Sequence, residues 1–79
     1  MTREEAKKIV KEEGLKQINW YGEQNLKENV VGINYEDNQW IVYATDERAS
    51  VVTGSITKFD NESEALDNFI ARARTEKIL

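Results

Sequence analysis

The chain has 79 residues and a mass of 9.2 kDa, with 11 Lys+Arg against 15 Asp+Glu and a net charge of −4. It holds no Cys, His or Pro, which excludes a disulfide frame, thiol catalysis, thiolate or imidazole zinc sites and any Ser–His–Asp centre. A chain this short buries about 60% of its unfolded surface when it folds, enough for one core and no second domain.

The first element is a helix over residues 2–13. Thr2 and Glu5 form a capping box, in which Thr accepts from the N3 amide and Glu reaches back. Ala6, Ile9 and Val10 recur on one helical face. Glu4–Lys8 and Glu12–Lys16 are favourably ordered i,i+4 pairs on other faces. Gly14 is placed to stop the helix, with Leu15 packing back after it.

Residues 18–21 read as a short strand with Ile18 and Trp20 on one face and Asn19 and Tyr21 on the other. Residues 22–28 are polar and read as a loop. Val30 to Glu36 and Trp40 to Thr45 are the next strands, rich in β-branched and aromatic residues. Asp37-Asn38 between them suits a two-residue turn, because both tolerate positive φ. That turn pairs Glu36 with Gln39, Tyr35 with Trp40, Ile33 with Val42 and Val31 with Ala44. One face then holds Val31, Ile33, Tyr35, Trp40, Val42 and Ala44, a core face. The other holds Val30, Gly32, Asn34, Ile41 and Tyr43 and is mixed enough to face water. A slip of one residue would exchange the two faces.

Asp46 to Ser50 is a charged connection. Val51 to Phe59 reads as a fourth strand, with Gly54 marking a bulge. Asn61 is placed to cap the last helix with Glu64 at N3. The triplet Asn61-Glu62-Ser63, which also fits a glycosylation sequon, is read as this helix start. Leu66, Phe69, Ile70 and Ala73 supply its apolar stripe, and Arg72, Arg74 and Lys77 suit its C-terminal dipole. The pattern predicts one α+β domain over residues 1–79 in the order α-β-β-β-β-α. With no βαβ crossover the sheet is expected to be antiparallel, with both helices on one face over Ile33, Tyr35, Trp40 and Val42.

Charge is uneven. Residues 17–59 hold three Lys/Arg against six Asp/Glu, so the middle of the chain suits a basic partner rather than a nucleic-acid backbone. No apolar run approaches the ~18 residues of a membrane span, and Met1 to Glu5 has no apolar signal core. Location in the cytoplasm is the expectation.

Catalytic raw material is thin. Glu36/Asp37 and Asp46/Glu47 are carboxylate pairs at strand ends, but neighbours in a strand or turn point apart, which suits solvated charges better than acid–base work. No calcium-loop pattern and no glycine-rich phosphate loop is present, so neither metal nor cofactor is expected. The aromatic residues Trp20, Tyr35 and Trp40 suit core packing better than base stacking, which needs basic surroundings. Ile41 and Tyr43 on the opposite face suit an interface centre as well as a partly buried sheet back. Arg48, among Asp46, Glu47 and Ser50, can fork onto a partner carboxylate or pair with a neighbouring acid.

The run from Trp40 to Ser50, a strand entering a TDERAS turn, followed by a strand and a helix opening ESEALDNFI, carries a family likeness. It is similar to small immunity proteins of bacterial polymorphic toxin systems, specifically the family numbered fifty-nine. The resemblance implies a cytosolic antidote that binds and blocks a cognate toxin without catalysis. The reading is therefore a protein-binding module. Its expected contact residues are Ile41 and Tyr43, with Asp46, Glu47 and Arg48 at the rim and a basic toxin domain as partner. The alternative from a different class is a regulatory or phage-encoded domain associated with nucleic acid.

Overall fold

In a computed structural model of the protein, residues 1–23 and 25–78 are described, those from 76 onward by their backbone. Gln24 of the expected loop and the Lys77 side chain therefore lie outside the described residues.

Helix α1 spans Arg3–Glu13 and strand β1 Ile18–Trp20. Strands β2 (Val31–Glu36) and β3 (Gln39–Ala44) follow, then β4 (Thr57–Phe59) and helix α2 (Glu62–Ile78). The α1 capping box forms as the spacing predicts, and Gly14 ends the helix in the left-handed region at φ 64°. Only glycine takes that φ without strain from a Cβ. Asn61 Oδ1 accepts the Glu64 amide at 2.8 Å, which starts α2.

Asp37 and Asn38 both take positive φ, 50° and 64°. The resulting hairpin has the predicted register at each rung from Glu36↔Gln39 to Val31↔Ala44. The core follows from it. Val31, Ile33 and Val42 on one sheet face pack against Ala6 and Leu15 and against Leu66, Phe69, Ile70 and Ala73 of α2. Ile18 and Trp20 close its β1 side, with Trp20 tilted on Phe69 at 5.8 Å between ring centroids. Both helices thus share the front face. Glu13 and Arg74 tie them together through two hydrogen bonds, 3.0 and 2.6 Å.

Three expectations are corrected. The sheet, in the order β1-β2-β3-β4, is mixed, because β1 runs parallel to β2. Such a pair needs a crossover, and the chain makes it without a helix. A strand of three residues covers only about 10 Å. Ten residues, 21–30, can return the chain over that distance, since an extended residue reaches about 3.3 Å. Second, residues 51–59 form no continuous strand. Val51 makes one bridge to Thr45, residues 53–55 turn as a 3₁₀ helix, and pairing resumes at Thr57. The Ser55 hydroxyl accepts the Ala44 amide at 2.9 Å, filling a place that a backbone carbonyl would take in a longer strand. Third, the helices stop short of the hairpin end. Tyr35 is 48% exposed, and its ring packs on half-buried Trp40 at 4.7 Å.

Candidate partner-binding face

Helices α1 and α2 both pack on the front of the sheet and leave its back uncovered. Its centre is sealed from within the sheet. The Tyr43 ring lies across the backbone of Gly32, where an added Cβ would come within 2.1 Å of the ring. Glycine at 32 is therefore a requirement of this stacking. The buried Asn19 amide donates to the Tyr43 hydroxyl at 3.3 Å. Burial raises the Tyr43 pKa, as does the negative charge of Glu36, while the bond from Asn19 works in the opposite direction. Tyr43 is only 8% exposed. It was expected to offer contact area to a partner. It lies instead as a floor, with half-buried Ile41 beside it.

Two irregular segments rise on either side of that floor. Leu26, from the β1–β2 crossover, stands on one side, and Val51 and Ile56 on the other. The floor and these walls make a trough whose hairpin end carries Glu36 and Asp37, with Lys58 of β4 on its flank. Both walls are tied to the end of β3. The Thr45 hydroxyl accepts the Val30 amide at 2.8 Å and donates to the Lys27 carbonyl at 2.6 Å. The Asn29 amide donates to the Asp46 carbonyl at 3.0 Å. On the other side, the Val52 amide donates to the Ala44 carbonyl at 2.9 Å.

The three expected rim residues part company. Asp46 Oδ1 accepts the amides of Arg48 (2.8 Å) and Ser50 (3.0 Å), so this carboxylate holds its own turn closed. Ala49 takes φ 63° at the turn's end. Glu47 and Arg48 project from that turn and are exposed. They border a separate open concavity at the end of the sheet, facing Gln17, Lys27 and Glu28. Among the described residues Arg48 makes no ion pair. The fold thus places Ile41 and Tyr43 in the trough and Glu47 and Arg48 at the sheet end, with Asp46 as the hinge between.

The wall residues Leu26, Val51 and Ile56 were missed in the sequence. Their runs have no period of two or 3.6, so no pattern marks the surface that they share. A polar cluster was missed as well. Tyr21, at φ 48°, and Arg3 both hydrogen-bond Glu62, and the Arg3 guanidinium lies 4.4 Å over the Tyr21 ring. Burial pushes the Glu62 carboxyl up, but the bonds from Tyr21 and Arg3, with the Arg3 charge, hold it below the usual value. Burial and the bond to Glu62 push Tyr21 up to about 12. This cluster joins α1 and α2 to the residue that follows β1, a structural task. Among the described residues no group of three acidic side chains converges as a metal site would require, and no helix is long and apolar enough to cross a membrane.

No curated protein and no solved structure matches the chain. A sequence model of the family described as Immunity protein 59 matches residues 1–78, from the α1 capping box through both walls of the trough to the last turn of α2. A match of that extent shows that the chain belongs to the immunity protein 59 family.

Proposed function

We propose that this protein is the antidote of a toxin–immunity pair. It binds a cognate toxin domain and silences it by occlusion, with no catalytic step of its own. The observation that carries this reading is the family match over residues 1–78. The face described above supports it. The large apolar residues that the described chain leaves exposed are Leu26, Tyr35, Val51, Val52 and Ile56. Leu26, Val51 and Ile56 among them line one trough over a sheet face that no helix covers. A concave surface lined by exposed aliphatic side chains offers a docked partner apolar contact. The proposed contact surface is this face, with Ile41 and the Tyr43 ring as floor. Glu47 and Arg48 stand at its far end, carried by the turn that Asp46 closes. The net charge of −4 favours a basic toxin by long-range attraction. The place of action is the cytoplasm, where a bacterial toxin would meet its target.

Co-expression tests this reading. The toxin domain encoded beside this gene is expressed in a bacterial host with and without the chain. Survival only with the chain, together with a stable complex of the two purified proteins in gel filtration, is the expected result. A host that dies equally in both cases, with no complex formed, refutes it.

A further inference from the structure

The trough is two-ended in its chemistry. Away from the hairpin, the apolar side chains of Leu26, Val51 and Ile56 line the trough with Tyr43, and Leu26 and Ile56 are 47% and 39% exposed. At the hairpin end the trough is lined by Glu36 and Asp37, both exposed, with the Asn34 side-chain amide donating to Glu36 at 3.3 Å. Lys58 pairs across the sheet with Ile41 on the β4 side, so its ammonium disfavours a second cation there and leaves the negative end at the turn. The space between holds about 520 Å³, room for side chains of a docked segment.

We infer that the trough receives a basic-apolar segment of the toxin, with an apolar side chain between Leu26, Val51 and Ile56 and a Lys or Arg over Glu36 and Asp37. This rests on the reading of the chain as an antidote and names what that antidote recognises. Charge complementarity selects this occupant over a second copy of the chain. Two such copies, each at −4, would bring like-charged rims together. The apolar end supplies the desolvated anchor, and the carboxylates set the direction in which the segment lies.

Biolayer interferometry against the toxin domain encoded beside the gene tests the inference, with thermal melts confirming that each variant folds. Leu26→Asp and Ile56→Asp are expected to weaken binding at least about thirtyfold, as removal of an interface anchor does. Glu36→Gln with Asp37→Asn keeps the turn geometry and removes both charges. It is expected to slow association about three- to tenfold at low salt and to flatten its salt dependence. Glu4→Gln with Glu12→Gln removes the same net charge from α1 and is expected to leave the rate nearly unchanged. Should an aspartate variant melt early, Leu26→Ala and Ile56→Ala replace it, with faster dissociation as the expected result. A wild-type complex that tolerates all the trough substitutions overturns the inference and leaves the antidote reading standing. A wild-type chain that forms no complex overturns both. A wild-type dimer in sedimentation that Leu26→Asp disperses shows a self-interface and overturns the inference.

Discussion

The two faces of the sheet are built on different principles. On the front, periodic elements meet. Strand residues alternating in twos and helix residues recurring at three and four bring Ile33, Val42, Leu66 and Phe69 to complete burial. On the back, nothing periodic covers the strands. A glycine and a tyrosine close the floor from within the sheet, and two irregular segments make walls that leave aliphatic side chains in water. The contrast separates two tasks. The front holds most of the buried apolar area and therefore most of the stability. The back gives up burial and leaves a shaped, partly apolar surface open.

Substitutions on the two faces sharpen that contrast. Phe69→Ala, on the front, is expected to cost ~3–5 kcal/mol in denaturant melts, because the ring is fully buried at the centre of the core. A loss below 1 kcal/mol would show that the front core is not where stability resides. On the back, Gly32→Ala drives a methyl into the Tyr43 ring and is expected to cost about 1–3 kcal/mol. The clash disappears once the ring is gone, so Gly32→Ala should cost far less in a Tyr43→Ala background. Strict additivity in that double-mutant cycle would contradict the stacking of ring on glycine.

Asp46→Ala removes the acceptor of two backbone amides in the turn and is expected to cost about 1 kcal/mol. The loss should appear as faster amide exchange at Arg48 and Ser50 while the front core keeps its protection. Equal loosening of both faces would mean that the back is not an independent construction. Glu62→Gln has the smallest expected effect, at most about 1 kcal/mol, because the Arg3 side chain is 55% exposed and solvent screens the pair. Its pH dependence has a definite sign. A carboxyl whose folded pKa is lowered contributes stability above its unfolded value, near 4.3, and loses it as pH falls through the folded value. Wild type and Glu62→Gln should therefore differ at neutral pH and converge as the pH falls through the lowered folded value.

The candidate site was legible only in part. Ile41 and Tyr43 could be assigned to the back face, because Asp37-Asn38 sets the register and the register sets the faces. That Tyr43 would be covered could not be read, since it depends on the absence of a side chain at Gly32 across the rung and on Asn19 in a strand of the other direction. Asp46, Glu47 and Arg48 look alike as a charged run. Only the folded turn shows that one carboxylate is spent on backbone amides while its neighbours project outward.

Local chemistry by itself determined the helices, their caps, the hairpin and its register. Each of these rests on contacts within a few residues, such as Thr2 with Glu5 or Asp37 with Asn38, where side-chain type and spacing are sufficient cause. Tertiary structure alone decided the parallel placement of β1, the break before β4 and the trough. These depend on where segments far apart in the chain come to rest. The crossover lies where the Thr45 hydroxyl and the Asp46 carbonyl hold it, and the 3₁₀ turn lies where Ser55 can meet Ala44. A hydrogen bond across many residues leaves no period in the sequence on either side of it, so the proposed binding face becomes visible only when the chain is folded.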